Sequence, residues 1–251
     1  MAAAPIDVAT QATIAFIAQH VPAGGSLLEV GCGSGHVAQQ LLATGYRVTA
    51  IDSDAQAVAQ ARNRGVDARV VSWPNFAREA FDAVLFTRSL HHIGPLDAAI
   101  RKACELVKPG GMLLVEDFAF EDAGAATIAW LLGILRSPRV RARLVAAPDA
   151  LASELLAASD PISAWRHSHD HDLHTQASMR HAIERAFVPG AEVRTPYLYR
   201  YLIPVLPETP EAANVIEAVL EEEASRGIRG EIGLIGWRMV AQVDPAIDLS
   251  A

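Results

Sequence analysis

The sequence has little cysteine, no excess of positive charge and no long apolar run, and each shortage argues against a class of protein. The two cysteines in 251 residues, Cys32 and Cys104, lie far apart and form no paired motif, which argues against a disulfide scaffold or a cysteine zinc site. No apolar run approaches the roughly 20 residues that span a bilayer. The net charge of -8 argues against a general nucleic-acid surface. We therefore expect neither membrane nor nucleic acid as a partner.

The first residues of the chain do not resemble a secretory signal. Residues 1–7 contain no basic segment ahead of a hydrophobic stretch. Together with the unpaired cysteines, this start predicts a cytoplasmic protein. We expect a monomer or a homodimer.

Strand and helix patterns alternate through the first half of the chain. Between helical patterns lie short apolar runs at residues 27–30, 47–51, 68–71, 81–86 and 112–117. Strands separated by single helices pair in parallel through right-handed crossovers. The pattern therefore predicts an open α/β sheet.

The alternation stops near residue 119, and the pattern is helical up to about residue 175. In open sheets ligands bind beyond the carboxyl ends of the strands, so an insertion after a central strand would cover the binding crevice. We predict a cofactor-binding core begun by residues 1–118, a helical cap at 119–175, and completion of the core by 176–251.

The last part of the chain is predicted to supply the remaining strands. Strand character returns at residues 193–203 and again at 231–243, with an extra helix between them. Tyr197, Tyr199 and Tyr201 alternate with other residues, so as part of a strand they would share one face. There they would either pack under helices or line an aromatic acceptor pocket.

A glycine-rich turn follows the first strand. Gly31, Gly33 and Gly35 stand at alternate positions before a helical pattern, which is typical of a turn that admits a ligand against bare backbone. A dinucleotide fingerprint needs a further glycine where this chain has His36, which disfavours an NAD-dependent oxidoreductase. An acid, Glu29, precedes the turn.

This turn and the motifs that follow it resemble those of the class I S-adenosylmethionine-dependent methyltransferases, in particular small-molecule members of the type 11 and type 25 kind. The motifs that carry the resemblance are EVGCGSG from Glu29, ID from Ile51, FDAVL from Phe81, LHHI from Leu90 and LVKPGGM from Leu106. The resemblance implies a Rossmann-like seven-stranded sheet of order 3-2-1-4-5-7-6 with the last strand antiparallel. It also implies S-adenosyl-L-methionine as cofactor and methyl transfer to oxygen or nitrogen of a small-molecule acceptor. A binding motif leaves open a non-catalytic cofactor sensor or partner subunit.

The resemblance also assigns residues to the cofactor. They are Glu29, Gly31, Cys32, Gly33, Gly35, Asp52, Ser53, Ser72, Trp73 and Arg88. Asp52 would accept hydrogen bonds from both ribose hydroxyls, since two acceptor oxygens match two adjacent donors. Glu29 would serve the cationic methionine end, directly or through water.

Other interpretations of these residues stay open. Asp52 could cap the following helix, although Asp54 is better placed to do so, and Glu29 could be a strand-end acid. Family members usually place an acid beside the adenine amino group, but this chain has none directly after Val71. Trp73 could stack on the adenine or pack in the core. Arg88 would sit beside the methionine through its backbone, or its side chain could simply be solvated.

His92 is the candidate catalytic base. It follows the strand whose end faces the transferable methyl group in this family, and an imidazole titrates near neutral pH. Its neighbour His91 should point elsewhere. The histidine pair could alternatively close a loop, which would leave His92 as a pocket wall.

Two polar clusters lie outside these motifs. Residues 165–174 alternate histidine with aspartate, but the spacing matches no standard metal site, so we predict no metal and interpret the segment as a polar hinge. Arginines at 136–143 could grip an anionic acceptor or RNA. We favour a solvated surface for them.

Overall fold

The computed structural model describes residues 4–78, 80–145 and 150–243. The strands are β1 Ser26–Val30, β2 Arg47–Asp52, β3 Asp67–Val70, β4 Phe81–Thr87, β5 Val107–Phe118, β6 Phe187–Thr195 and β7 Gly236–Val243. The helices are α1 Pro5–Ala18, α2 His36–Ala43, α3 Ala55–Asn63, α4 Leu96–Leu106, α5 Ala125–Arg136, α6 Pro138–Arg141, α7 Ala150–Ala157, α8 Pro161–Ser168, α9 Gln176–Glu184 and α10 Pro210–Ile228. None of the helices in these ranges is long and apolar enough to cross a membrane.

The strands form one mixed sheet in the order β3-β2-β1-β4-β5-β7-β6. β1 pairs in parallel with β2 and β4, and its last residue Val30 lies opposite Ile51 and Phe86. This register brings the carboxyl ends of the three strands together, and with them the turns that follow. The predicted fold and strand order are confirmed.

The central strands are apolar on both faces. In β1, Leu27 belongs to one buried apolar cluster and Leu28 to another, and in β4 the same alternation separates Leu85 from Phe86. Successive side chains of a strand point to opposite faces, so helices must cover both sides of this sheet. Burial on both faces explains why these strands are continuously apolar in the sequence instead of alternating with polar residues.

The described residues fall into two compact units. The motif unit comprises Thr10–Asp117, His174–Val193 and the chain from Trp237, and the helical unit comprises the chain up to Ala9, Phe118–Leu173 and Arg194–Gly236. The helical unit has its own core, in which residues of α5 and α10 are buried. The division into residues 1–118, 119–175 and 176–251 stays a prediction. Residues 1–3 and 244–251, at the ends of these segments, lie outside the described residues.

The prediction of a strand over residues 193–203 is wrong beyond Thr195, where β6 ends. Leu198–Val205 form a 3₁₀ helix, so the alternating tyrosines do not share a strand face. Glu223 of α10 is the physical reason. Its buried carboxylate accepts hydrogen bonds from the backbone nitrogens of residues 197, 198 and 199 at 2.7, 2.9 and 3.0 Å. Consecutive N–H groups that converge on one acceptor are incompatible with an extended strand. The last strand also starts later than predicted, at Gly236.

Candidate functional site

A cavity of about 400 Å³ lies in the motif unit at the carboxyl ends of β1, β2 and β4. Several of the predicted site residues line it: Gly31, Gly33, Asp52, Ser53, Ser72, Trp73, Arg88 and His92. The predicted residues Glu29, Cys32 and Gly35 are not part of the lining. Sequence reasoning missed other lining residues: Val30, Ile51, Val71, Ser89, Ile93 and Gly94. The available signal was their position, since Val30, Ile51 and Ile93 lie within the quoted motifs and the other three lie next to a motif or to a predicted site residue.

The glycine turn needs its glycines for conformation and for space. Gly31, Gly33 and Gly35 have φ values of 74°, 53° and 81°, in the left-handed region that side chains disfavour. A Cβ atom at Gly31 would overlap the side chain of Ser89, and one at Gly35 would lie 2.7 Å from Ala61 Cβ. Gly31 and Gly33, the two glycines of the turn that line the cavity, therefore present backbone without a side chain there.

Asp52 holds the turn and retains capacity for a ligand. Its Oδ2 accepts a hydrogen bond from Gly33 N at 2.8 Å, and its Oδ1 accepts one from Asp54 N at 2.9 Å. Each carboxylate oxygen has a further lone pair, so both can still accept from hydroxyl groups. Asp54, whose side chain accepts from Gln56 N, caps α3. The helix-capping role that was open for Asp52 therefore belongs to Asp54.

Glu29 is a buried acid with an open acceptor. Its Oε1 accepts a hydrogen bond from Thr87 Oγ1 at 2.7 Å, whereas Oε2 has no hydrogen-bond partner within the described ranges. Burial raises the pKa of Glu29 to about 7, against the opposing effects of the Thr87 hydrogen bond, the Arg88 charge and the backbone N–H of Ala38. An unpaired buried acceptor is costly, so a cationic donor would be favourable here. This orphaned oxygen fits a ligand with an ammonium group.

Cys32 follows Gly31 in the same turn but is not a nucleophile. It is buried, and burial together with the charges of Glu29 and Asp52 raises the pKa of its thiol to about 12. The thiolate is the reactive form, so this cysteine is inert at neutral pH. Its contribution to the turn is its backbone N–H, which donates to Ile51 O at 3.0 Å.

Trp73 serves both the core and the cavity. Its indole nitrogen donates to Ala99 O at 3.0 Å, and its ring meets the Phe86 ring edge to face at 5.9 Å. The same residue lines the cavity beside Ser72. Core packing therefore holds the indole in place, and stacking on an adenine stays a prediction.

Arg88 adopts a conformation that is rare for a residue with a side chain. Its φ is 63°, and its backbone N–H donates to Glu116 O at 2.6 Å. The guanidinium pairs with the buried carboxylate of Glu116 at 3.2 Å, which also accepts from Thr13 and Arg238. The side chain is thus tethered rather than simply solvated, and no sequence motif indicated this network.

The two adjacent histidines differ in their surroundings. His91 is buried, with Nδ1 2.7 Å from Asp117 Oδ1, whereas His92 is exposed and lines the cavity. Their ring centroids lie 4.1 Å apart. Of the two histidines, only His92 lines the cavity, and its role as the base stays a prediction.

The histidine-rich segment does not gather into a metal site within the described ranges, where no group of three or more metal-ligating side chains is found. His169, in the helical unit, is buried, with Nδ1 2.8 Å from Trp165 O and Nε2 3.2 Å from Tyr201 Oη. Among the arginines of residues 136–143, Arg139 pairs with Glu222 at 2.6 Å. Nothing in these contacts indicates a ligand for the arginines.

Comparison with known proteins adds to this geometry. The family described as a methyltransferase domain matches residues 28–115. The chain is 34% identical over 173 residues to the ubiquinone biosynthesis O-methyltransferase of Methylocella silvestris, covering 59% of this chain and 67% of the relative. It is 38% identical over 127 residues to the protein of the same name in Xanthomonas axonopodis pv. citri, covering 44% and 53%. The chain thus spans only about half the length of the latter.

Solved structures agree on the fold. Geranyl diphosphate C-methyltransferase from Streptomyces coelicolor, solved with S-adenosyl-L-homocysteine, is 15% identical with a TM-score of 0.56. That comparison covers 93% of this chain and 78% of the other. At this identity the similarity concerns the fold alone.

Proposed function

This chain belongs to the class I S-adenosylmethionine-dependent methyltransferases, and we propose that it transfers a methyl group to a hydroxyl oxygen of a small-molecule acceptor. The observation that carries the proposal is the composition of one cavity, in which the bare turn at Gly31, the carboxylate of Asp52 and the imidazole of His92 meet. Methylation of a hydroxyl group needs a binding site for the methyl donor and a group that accepts the hydroxyl proton.

The chain's own residues account for how the cofactor would be held. Asp52 would accept hydrogen bonds from the ribose hydroxyls with the lone pairs that Gly33 N and Asp54 N leave free. The orphaned Oε2 of Glu29 supports recognition of the methionine ammonium, directly or through a water molecule. Trp73 and Ser72 line the same cavity and would border the adenine. The remaining cofactor assignments, among them Gly35, Ser53 and Arg88, belong to the same proposal.

His92 acts as the general base in this proposal. When bound, S-adenosyl-L-methionine supplies an electrophilic methyl group on a positively charged sulfur. Transfer of that methyl group to the acceptor oxygen would release the hydroxyl proton, which His92 would take. Alignment of the reactants contributes roughly 7 to 11 kcal/mol in such reactions, so neither a metal nor a nucleophilic side chain is required.

The class of acceptor is supported by the relatives and by charge. The two relatives described above carry the name ubiquinone biosynthesis O-methyltransferase, which favours oxygen over nitrogen as the acceptor atom. An aromatic hydroxyl is the acceptor group that we propose. The net charge of -8 disfavours a nucleic-acid acceptor. We place the reaction in the cytoplasm.

The acceptor is tested with methyl-labelled cofactor and matched aromatic compounds. The purified chain is incubated with phenols, catechols and the corresponding anilines, which differ only in the acceptor atom, and products are analysed by mass spectrometry. We expect label on hydroxyl compounds and none on the anilines. Label confined to the anilines would overturn the choice of oxygen. Tight cofactor binding without any product across the panel would favour a cofactor sensor.

His92→Ala tests the base. We expect kcat to fall about 10²- to 10⁴-fold, the usual contribution of a general base, while the dissociation constant of S-adenosyl-L-homocysteine stays within about twofold. His181→Ala is the matched control, because His181 is an exposed histidine of α9. An unchanged kcat for His92→Ala at every pH would remove the residue as base.

A further inference from the structure

The loop that carries His92 is bound by a residue from much later in the chain, His174. The backbone nitrogen of His174 donates to His91 O at 2.8 Å, and its ring Nε2 lies 3.0 Å from Ile93 O. A carbonyl oxygen only accepts hydrogen bonds, so Nε2 carries the hydrogen in this contact. One residue thus bonds to the peptide groups on both sides of His92.

A second residue holds the same loop through His91. Asp117 at the end of β5 is buried, with Oδ1 2.7 Å from His91 Nδ1 and Oδ2 3.3 Å from His91 N. The buried half of the histidine pair is therefore anchored to the sheet. His92, the exposed half, packs its ring against the His91 ring, with centroids 4.1 Å apart, and its backbone is positioned by the peptide groups on either side.

The loop needs this support because its own secondary structure is short. Residues Leu90–His92 form a single 3₁₀ turn, with His92 N bonded to Ser89 O at 3.1 Å and Ile93 N to Leu90 O at 3.0 Å. Such turns have poor hydrogen-bond geometry and little intrinsic stability. The residues that follow, Ile93 and Gly94, line the cavity together with His92.

We propose that His174 is a positioning residue, whose imidazole bond to Ile93 O fixes the direction of the His92 ring and the Ile93–Gly94 wall of the cavity. The proposal rests on the proposed role of His92 as base. A displacement of about 1 Å in a reacting group can lower a rate by about 10²-fold, so a bond that fixes the neighbouring peptide group affects kcat without touching either substrate. The Asp117 anchor acts at His91, on the side before His92, whereas the His174 ring bond acts at Ile93, on the side after it.

The experiment compares His174→Ala with His174→Gln. Alanine removes only the ring bond, since the backbone bond from residue 174 to His91 O does not depend on the side chain. Glutamine retains an N–H donor that reaches Ile93 O. We expect His174→Ala to lower kcat about 5- to 20-fold, with the KM for cofactor within about twofold, and glutamine to restore most of the rate. His181→Ala again serves as the control.

Amide hydrogen exchange is measured on the same variants and needs no acceptor. We expect exchange in the peptide that spans residues 90–94 to rise about 10-fold in His174→Ala, and to return close to wild type in His174→Gln. Unchanged exchange there would overturn the inference, as would faster exchange with an unaltered kcat, or an equal loss of kcat in both variants. If no acceptor is methylated by wild type, the proposed function fails, while the exchange data still decide whether His174 fixes the loop.

Discussion

Asp52 and Glu223 are two carboxylates that do the same local task in different surroundings. Asp52 accepts hydrogen bonds from two backbone N–H groups of the motif unit, and Glu223 accepts from three in the helical unit. Asp52 is half-buried and lines a cavity, whereas Glu223 is fully buried. The first therefore organises a turn and still has lone pairs for a ligand, while the second organises only the fold.

Burial distinguishes the roles of these two side chains, because it disfavours the charged form of a carboxyl group. Burial raises the pKa of Glu223, although the three N–H groups and Arg200 oppose the shift. A carboxylate that is shut away from solvent serves as a fixed cap for the 3₁₀ helix Leu198–Val205. A carboxylate at the edge of a cavity can exchange its outer partners, which is what binding requires.

The largest effect is expected for Glu223→Ala. Removal of the cap leaves three backbone N–H groups in a buried region without their acceptor, and we expect the free energy of unfolding to fall by about 4 kcal/mol. Denaturant unfolding measures it. Glu221→Ala, at an exposed position of the same helix, is the control and should change stability by less than about 0.5 kcal/mol. Equal losses in the two variants would contradict the role of Glu223 as a cap.

Glu29 is a third carboxylate to compare with Asp52 and Glu223, because it is buried but has an open acceptor. The substitution Glu29→Gln tests the effect of its burial. Folding raises the pKa of Glu29 to about 7 from 4.5, so its protonated form is favoured by folding. The stability that it contributes is complete below pH 4.5 and is lost as pH rises through about 7. Glutamine does not ionise, so we expect the variant to be more stable than wild type by about 3 kcal/mol at pH 8.5 and equal at pH 4.

Denaturant unfolding at both pH values measures this difference, with Glu217→Gln at an exposed position of α10 as the control. The same variant should bind S-adenosyl-L-homocysteine more weakly, since a carboxamide replaces the charged partner of the ammonium group. A Glu29→Gln protein that is no more stable than wild type at pH 8.5 would refute the raised pKa.

A smaller effect distinguishes Gly31 from Gly33. Both have positive φ, but an added Cβ overlaps Ser89 only at Gly31 and meets nothing within 4 Å at Gly33. Gly33→Ala should cost about 1 kcal/mol for its backbone conformation, and Gly31→Ala about 2 kcal/mol more for the overlap. Unfolding measurements give the difference, and titration with S-adenosyl-L-homocysteine should show weaker binding to Gly31→Ala. Equal effects of the two substitutions would mean that the Ser89 side chain moves aside to accommodate the added Cβ atom.

The site was predictable where its chemistry follows from neighbours in the sequence. The glycine positions, the acid at the end of β2 and the histidine pair after β4 have fixed spacings, and the structure brings Gly31, Asp52 and His92 to one cavity. Glu223 was missed although a signal existed. It follows Ile216 and Val219 at helical spacing on the buried stripe of α10, where an acid requires a partner.

Local sequence accounts for the strand segments and the glycine turn, and the resemblance of the motifs to a family implied the sheet order and the methyl donor. Apolar periodicity and positive φ are properties of short segments, so they are visible without the fold. The 3₁₀ conformation of residues 198–205, the tethering of Arg88 by Glu116 and the different surroundings of His91 and His92 arise from contacts between residues far apart in the chain. Their partners have no fixed spacing, so the tertiary structure alone could assign them.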